Sequence, residues 1–418
     1  MYTRFLFGGL CLLVALIVPP WGNAMPVQGA VEQALSRDAG LRELIQRARA
    51  LEHQAIADRA LPDPELSLGA EGLPINDPLS ADMMTMYRIG IRQRFPAGDS
   101  LALSGQRTTV RARAVNAEAR ARAREVALQT RVAWLDWAAA RESSELVGTM
   151  IQRLGELVSL TERRFAAGTG RQQDETQARL ELALMERRRL DALTEVDETR
   201  SRLQRWTGSW SESTSPNTLP DWPRPTARPD QLERRIAAHP ELDAARLRLD
   251  AGEVGTELAR QAYRPTWTIE AGYGHQRGRA PAGGRMSDKL YAMATISLPL
   301  FAANRQDRRL DSALAERDAE EAGMERVVQR LSGALGEQLA INERLAERRA
   351  LLEDRILPHA REAVEATRSA YQSDRAGFDE LIRAQLRELE LELDLVDTRR
   401  RLLASTARIT SLTSEESP

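Results

Sequence analysis

Few residues in this 418-residue chain could carry chemistry, and their types narrow what it can do. The four histidines, His53, His239, His275 and His359, stand far apart, so no histidine-based metal site can be read from spacing. The single cysteine, Cys11, lies inside an N-terminal apolar run, and Leu10 before it is larger than the small residue a lipobox requires. The rest of the chain therefore has no thiol or disulfide chemistry. No nucleophile, base and orienting group occur at motif spacing, and no glycine loop is built to cradle phosphate. The chain does not read as an enzyme, and no cofactor is expected. Met83, Met84 and Met86 are thioethers with two readings: soft ligands for Cu(I) or Ag(I), or flexible apolar residues at a strand end. Two acids remain, Asp174 and Glu380, each in one copy of a repeated stretch, RRFAAGTGRQQDETQA at 163–178 and SAYQSDRAGFDELIRA at 369–384. Each follows a reversal signal, Gly168 in the first copy and Gly377 in the second, and so falls in the first turn of a returning helix. A carboxylate there is favoured by the positive helix end, by about 0.3–1 kcal/mol.

The elements that must position these residues come in two sets. Arg4, the apolar run Phe5 to Val18 and the small residues Gly22-Asn23-Ala24 read as an export signal over 1–24. That run is too short for a spanning helix, which needs about 20 apolar residues, and no later stretch approaches that length. The chain is 29% charged and 5% aromatic, with 59 basic and 61 acidic residues, the composition of long solvated helices. A net charge of -2 gives no reason to expect nucleic acid as a partner. Asp38-Ala-Gly-Leu41 answers His239-Pro-Glu-Leu242, Pro64 answers Pro265, Ile91 answers Ile296 and Phe165 answers Tyr371, at an offset that drifts from 201 to 206. The chain thus divides into a first repeat, 25–208, a proline-rich connector, 209–229, a second repeat, 230–413, and a tail, 414–418.

Within each repeat the period changes in the same order. A helix is expected over 31–61 and again over 230–262. Period-two segments follow: Leu66, Leu68 and Ala70 alternate with Glu65, Ser67 and Gly69, and Tyr87, Ile89 and Ile91 with Arg88, Gly90 and Arg92. The second repeat gives Trp267, Ile269, Ala271 and Tyr273, then a strand over 289–298. No proline interrupts Ser100 to Ala167, a helix on the order of 100 Å at about 1.5 Å per residue. The final helix carries Ile382, Leu386, Leu389, Leu393, Val396 and Leu403 at coiled-coil spacing, interrupted by Arg400.

Four strands cannot close a barrel, and an open strand edge in lipid leaves backbone groups unsatisfied at several kcal/mol each. Three chains would supply twelve strands, enough to enclose a water-filled lumen. Apolar residues would then face lipid, and Arg88 and Arg92 the lumen. The alternative is a soluble sheet packed on helices, which are short of apolar surface to cover it.

The two tips share an aromatic, an acid nine residues on and an alanine thirteen on: Phe165, Asp174, Ala178 and Tyr371, Glu380, Ala384. With Leu61-Pro-Asp-Pro64 and Ile296-Ser-Leu-Pro-Leu-Phe301, they resemble the TolC family of outer-membrane efflux proteins, over the whole chain after the leader. The resemblance implies a mainly α fold with a membrane β-barrel contribution: long coiled-coil hairpins and four strands per protomer. It further implies a homotrimer with a twelve-stranded barrel in outer-membrane lipid and a helical tunnel in the periplasm. The implied partners are a periplasmic adaptor (membrane fusion protein) and an inner-membrane RND pump, for which the chain would be the exit duct. EGLPINDPLSADMMTMYRIGIRQRFP, residues 71–96, looks like the branch serving heavy-metal pumps. A drug-efflux or type I secretion duct has the same fold; a periplasmic coiled-coil adaptor would need a lipoyl-like β-module interrupting a hairpin, and these hairpins contain none. Three copies of Asp174 and Glu380 would ring the periplasmic mouth with six acids, attracting cations and gating the pore. Phe165 and Tyr371 read as packing anchors. The family's tip glycine is kept at Gly168 but is Asp374 in the second copy, with Gly377 displaced by three. A basic residue that the family can place near the second tip is replaced by Ala376, with Arg375 beside it.

Overall fold

Alternation of helix signals with period-two segments has a direct counterpart in the fold. The computed structural model describes residues 27–73, 75, 85–209, 218–223, 229–276, 284 and 286–413. The expected leader, Met83, Met84 and the tail lie outside these residues, as does most of the connector.

The helix expected over 31–61 is two, α1 (Val27–Arg37) and α2 (Ala39–Ala57), and that over 230–262 is also two, α5 (Pro229–Ile236) and α6 (Pro240–Gln261). Both breaks fall at the same repeat position because a side chain there captures an orphan amide. Asp38 Oδ1 accepts from the Leu41 amide at 2.6 Å, and His239 Nδ1 from the Glu241 amide at 3.3 Å. The Arg122 guanidinium bonds Asp38 at 2.8 Å and holds its carboxyl below the usual carboxylate range.

In the first repeat the strands β1 (Glu65–Glu71) and β2 (Met86–Phe95) lead into α3 (Ser100–Ala166) and its return, α4 (Gln172–Thr207). In the second, β3 (Thr266–Gln276) and β4 (Lys289–Ser297) lead into α7 (Gln306–Leu351), α8 (Leu357–Gln372) and the return, α9 (Phe378–Thr413). A π turn over Leu352–Ile356 joins α7 to α8 beside Pro358, whose missing N–H breaks the regular ladder. The helices pack side by side as α4, α3, α9 and then α7 with α8, so the two hairpins meet along α3 and α9. One apolar cluster lies near the tips, with Met150, Leu154, Ala178, Met185, Leu381 and Leu389; another lies midway, with Trp134, Leu135, Trp137, Leu203 and Leu403. Arg400, the break in the α9 seam, is held there by Asp136 at 2.7 Å and Asp397 at 2.8 Å. A charge in a packed seam persists only when paired in this way.

The sheet runs β1-β2-β3-β4, antiparallel throughout, with the repeat boundary at the β2–β3 seam. β1 and β4 are its edges, and α4 and α7/α8 are the edges of the helical layer.

Candidate functional site: a strand wall and paired hairpin tips

The sheet reverses the usual relation between polarity and burial. Leu68 and Leu290 are 73% and 86% exposed, and Leu66, Ile89, Ile91, Trp267 and Ile269 lie on the same open face. The opposite face is polar and better covered, with Glu270 at 6% exposure. There the Glu270 carboxylate accepts from Arg92 at 2.8 and 3.0 Å, from the Tyr291 hydroxyl at 3.1 Å and from Ser67 at 3.2 Å. The Tyr291 ring lies across two glycines: a Cβ at Gly90 would fall 2.6 Å from its hydroxyl oxygen, and one at Gly272 2.5 Å from its ring. An aromatic laid over strand glycines pins register and curvature together. The Arg88 guanidinium sits 5.4 Å above the same ring and pairs with Glu71. Arg88 and Arg92 thus share the polar face, each matched by an acid. Over that face four cations, Arg88, Arg92, Arg94 and Lys289, meet three acids, Glu65, Glu71 and Glu270, so it carries no acid excess. Met86 lies on it beside Gly274.

The apolar face has aromatic margins. Phe95 pairs with Trp267 at the helix end, and Tyr87 and Tyr273 lie towards the loop end. From Trp267 to Tyr273 the strand rises about 20 Å at about 3.3 Å per residue. Aromatic rows bounding an aliphatic band mark the outer surface of a membrane barrel. No helix among the described residues is long and apolar enough to cross a membrane, which leaves this sheet as the element with a lipid-compatible face.

At the tips the two copies turn through the same pair of backbone bonds, to which the first adds one from the Gly170 amide to the Arg164 carbonyl at 2.9 Å. The Gly168 and Thr169 amides donate to the Phe165 and Arg164 carbonyls, both at 2.9 Å; 206 residues on, Asp374 and Arg375 donate to Tyr371 at 3.2 Å and Ala370 at 2.8 Å. This is the Schellman pattern, which requires a left-handed residue at the first position after the helix. Gly168 meets it with φ 72° and Asp374 with φ 56°, so Asp374 does the glycine's work and Gly377 does not. The Asp374 carboxylate in turn binds Arg164 of the other hairpin, whose guanidinium also stands 5.0 Å over the Tyr371 ring. Tyr371 is buried and meets Phe378 edge-on at 5.8 Å; its burial raises the phenol's pKa. Phe165 departs from the expected pairing of anchors: it is 43% exposed, and Phe378 fills the apolar site instead. Tyr371 meets the neighbouring hairpin through Arg164. Asp174 is half-buried in the first turn of α4 and Glu380 exposed in the first turn of α9. Arg375 bonds the Ser373 hydroxyl within its own turn at 3.0 Å. Pattern reasoning missed Arg164, Glu270, Tyr291 and Phe378. Arg164, in the last turn of α3, could have been flagged as a cation at a helix C-terminus, but its acid partner lies 210 positions away.

No three His, Cys, Asp or Glu side chains converge on a possible metal site among the described residues. A lipid-compatible sheet with a polar reverse face, joined to helical hairpins whose outgoing α3 arm is about 100 Å long, is the architecture of an outer-membrane channel chain. The chain belongs to the outer membrane efflux protein family, whose model matches residues 30–209 and 232–415. Members are transport ducts and not enzymes. No curated protein matches the chain. Among solved structures it is similar to CusC at 17% identity, covering 94% of this chain and 92% of that one with TM-score 0.77. VceC of Vibrio cholerae matches at 19%, 94%, 99% and 0.75, and the open state of MtrE from Neisseria gonorrhoeae at 16%, 94%, 89% and 0.73, in the same order. At such identities the likeness establishes the fold.

Proposed function

We propose that three copies of this chain assemble into an outer-membrane exit duct, the sheet forming one third of a twelve-stranded barrel and the hairpins one third of a periplasmic tunnel. The observation that carries this reading is the inverted sheet: an isolated soluble chain would gain by burying Leu66, Leu68 and Leu290, at about 25 cal/mol per Å2, and here they stand open. Open edges on both the sheet and the helical layer, in the same angular order, support closure by further copies. The duct would receive substrate from a periplasmic adaptor and an inner-membrane RND pump docked at the tips. Membrane fractionation followed by native mass measurement in detergent tests this; a water-soluble monomer refutes it.

The tip residues then take roles around the mouth. Arg164 ties the two hairpins of one protomer together through Asp374 and Tyr371, while Asp174 and Glu380 contribute acids to the ring. Heavy-metal cations are the proposed substrate class, on the strength of residues 71–96. The near-balanced polar face of the sheet supports assigning that choice to the pump and not to the barrel, since a duct holding an ion tightly would not release it. Comparing metal and drug sensitivity of a deletion strain decides between cargoes: lost drug tolerance with unchanged metal sensitivity would reject the metal reading.

A further inference from the structure

The duplication specifies more than the number of repeats. At the β2–β3 seam, where the two copies meet within one chain, Ile91 lies opposite Ala271, Gln93 opposite Ile269 and Phe95 opposite Trp267. Above the seam the joint leading from β2 into α3 touches the joint leading from α6 into β3: the Asp99 amide donates to Gln261 Oε1 at 3.2 Å, and Arg264 pairs with Asp99 at 3.3 Å. In a closed ring the next such seam lies between β4 of one copy and β1 of the next, and both strands are unpaired edges in the chain. Repeat equivalence carries β2 onto β4, with Ile91 answering Ile296, and β3 onto β1, with Pro265 answering Pro64. The transferred register sets Ile296 opposite Ala70, Leu298 opposite Leu68 and Leu300 opposite Leu66. All six fall on the apolar face or its continuation past β4, and the four leucines are among the most exposed apolar residues of the chain.

The joint transfers as well, with its charges exchanged. Asp99 and Arg305 each stand immediately before their long helix, and Arg264 corresponds to Asp63. The intrachain pair Arg264–Asp99 thus becomes Asp63–Arg305 with the signs reversed. Neither Asp63 nor Arg305 has an ion-pair partner among the described residues, and both are exposed. Arg305 also sits at the positive end of a 46-residue helix, a poor place for a cation unless an acid arrives from elsewhere.

We infer that β4 of one copy pairs antiparallel with β1 of a second copy in this register, closed above by Arg305 to Asp63 of the neighbouring copy. The inference rests on the assembly proposed above and adds to it the seam and its residues.

Cysteine pairing tests the seam directly, in a Cys11→Ser background that removes the only native thiol. Leu68→Cys with Leu298→Cys, oxidised in isolated membranes, should yield covalent dimers and trimers on a non-reducing gel. Leu66→Cys with Leu298→Cys, displaced by two residues, should yield at least fivefold less, and the intrachain pair Gln93→Cys with Ile269→Cys no ladder. Asp63→Arg or Arg305→Asp alone should lower the temperature at which the trimer dissociates in detergent, and the two together should restore it. A trimer by native mass that gives no matched ladder, or more of the displaced one, overturns the seam and leaves the assembly standing. That outcome is also expected if lipid covers the leucines. A monomer by native mass overturns both.

Discussion

Replacing Arg164 with alanine should open the tips. Arg164 spends one guanidinium on the other hairpin, pairing with the Asp374 carboxylate, standing over the face of Tyr371 at 5.0 Å and donating at 3.5 Å to the Tyr371 carbonyl. The carboxylate is 77% exposed while the Arg164 side chain is 20% exposed, so water screens the ion pair from one side only. Pairs of this kind contribute about 0.2–1 kcal/mol, and a partly desolvated cation over an aromatic ring about 0.5–1 kcal/mol. Losing both should therefore weaken the link by about 1–2 kcal/mol, which is about a 5- to 30-fold shift in a closed-to-open equilibrium per protomer. Single-channel recording in planar bilayers reads this as a higher open probability, and hydrogen exchange reads it as faster exchange at the amides of Thr169 and Arg375. Arg164→Lys keeps a cation but not the planar stacking group, and should fall between wild type and alanine. If Arg164→Ala leaves both conductance and tip exchange unchanged, the link is incidental and the tips are held by something else.

The two tip turns should respond oppositely to one chemistry. Gly168→Ala forces a side chain into φ 72° and should cost about 1 kcal/mol, whereas Asp374→Gly relaxes a non-glycine residue at φ 56° while losing the Arg164 partner, so local stability should hardly change but conductance should rise. Asp174→Ala together with Glu380→Ala should reduce cation preference in bilayers; unchanged selectivity rejects the acid ring. Tyr291→Phe should preserve the packing over Gly90 and Gly272 yet free one bond of Glu270, whereas Gly272→Ala, whose Cβ would approach the Ile89 carbonyl to 2.6 Å, should prevent detergent-resistant assembly. His239, buried and near Arg124, has its pKa depressed from 6.5 to about 4, chiefly by desolvation. The unfolded chain thus binds the proton more readily, and stability should fall as pH drops from about 6.5 towards 4, by at most about 3 kcal/mol per protomer. His239→Asn, which can still cap α6, should flatten that dependence in thermal melts; an unchanged pH slope would assign it to other groups.

How far the fold was legible depended on the range of the interactions that set it. The strands and α3 follow from local periodicity and the absence of proline; α3 ends within a residue of where pattern alone places it, whereas β2 runs on to Phe95 and β3 to Gln276, past the alternation that pattern marks. The division of 31–61 and 230–262 into helix pairs was less visible, because Asp38 and His239 end a helix by capping geometry without breaking its apolar period. At the tips Asp374 was visible as a departure from glycine, but its partner Arg164 was not. Nothing in a linear reading selects one arginine from among so many. Glu270 and Tyr291 were hidden for a related reason. Each sits at an ordinary inward position of a strand, and only the β2–β3 and β3–β4 registers bring them to Arg92, Gly90 and Gly272.

The duplication gives the chain an approximate two-fold repetition, and three copies would arrange six similar units in a ring. Repeats free of selection on their differences would make that ring six-fold, and the points where the copies disagree show where three-fold function replaces it. α3 runs unbroken while its counterpart passes through a π turn at Pro358. The first strand-to-helix joint is packed around Ala97 and Gly98, while the second exposes Leu300 and Phe301. The first tip turns on glycine, while the second turns on Asp374 and uses its carboxylate to reach the first. The second joint's exposed Leu300 and Phe301 form a surface that another copy would complete, and the tip difference lies inside the protomer. A duct whose hairpins are tied in pairs by Arg164 would open as three units rather than six. The Arg164→Ala variant should then show more subconductance levels than the wild-type channel, because the two tips of each protomer stay coupled only through the apolar packing behind them once the tie is cut.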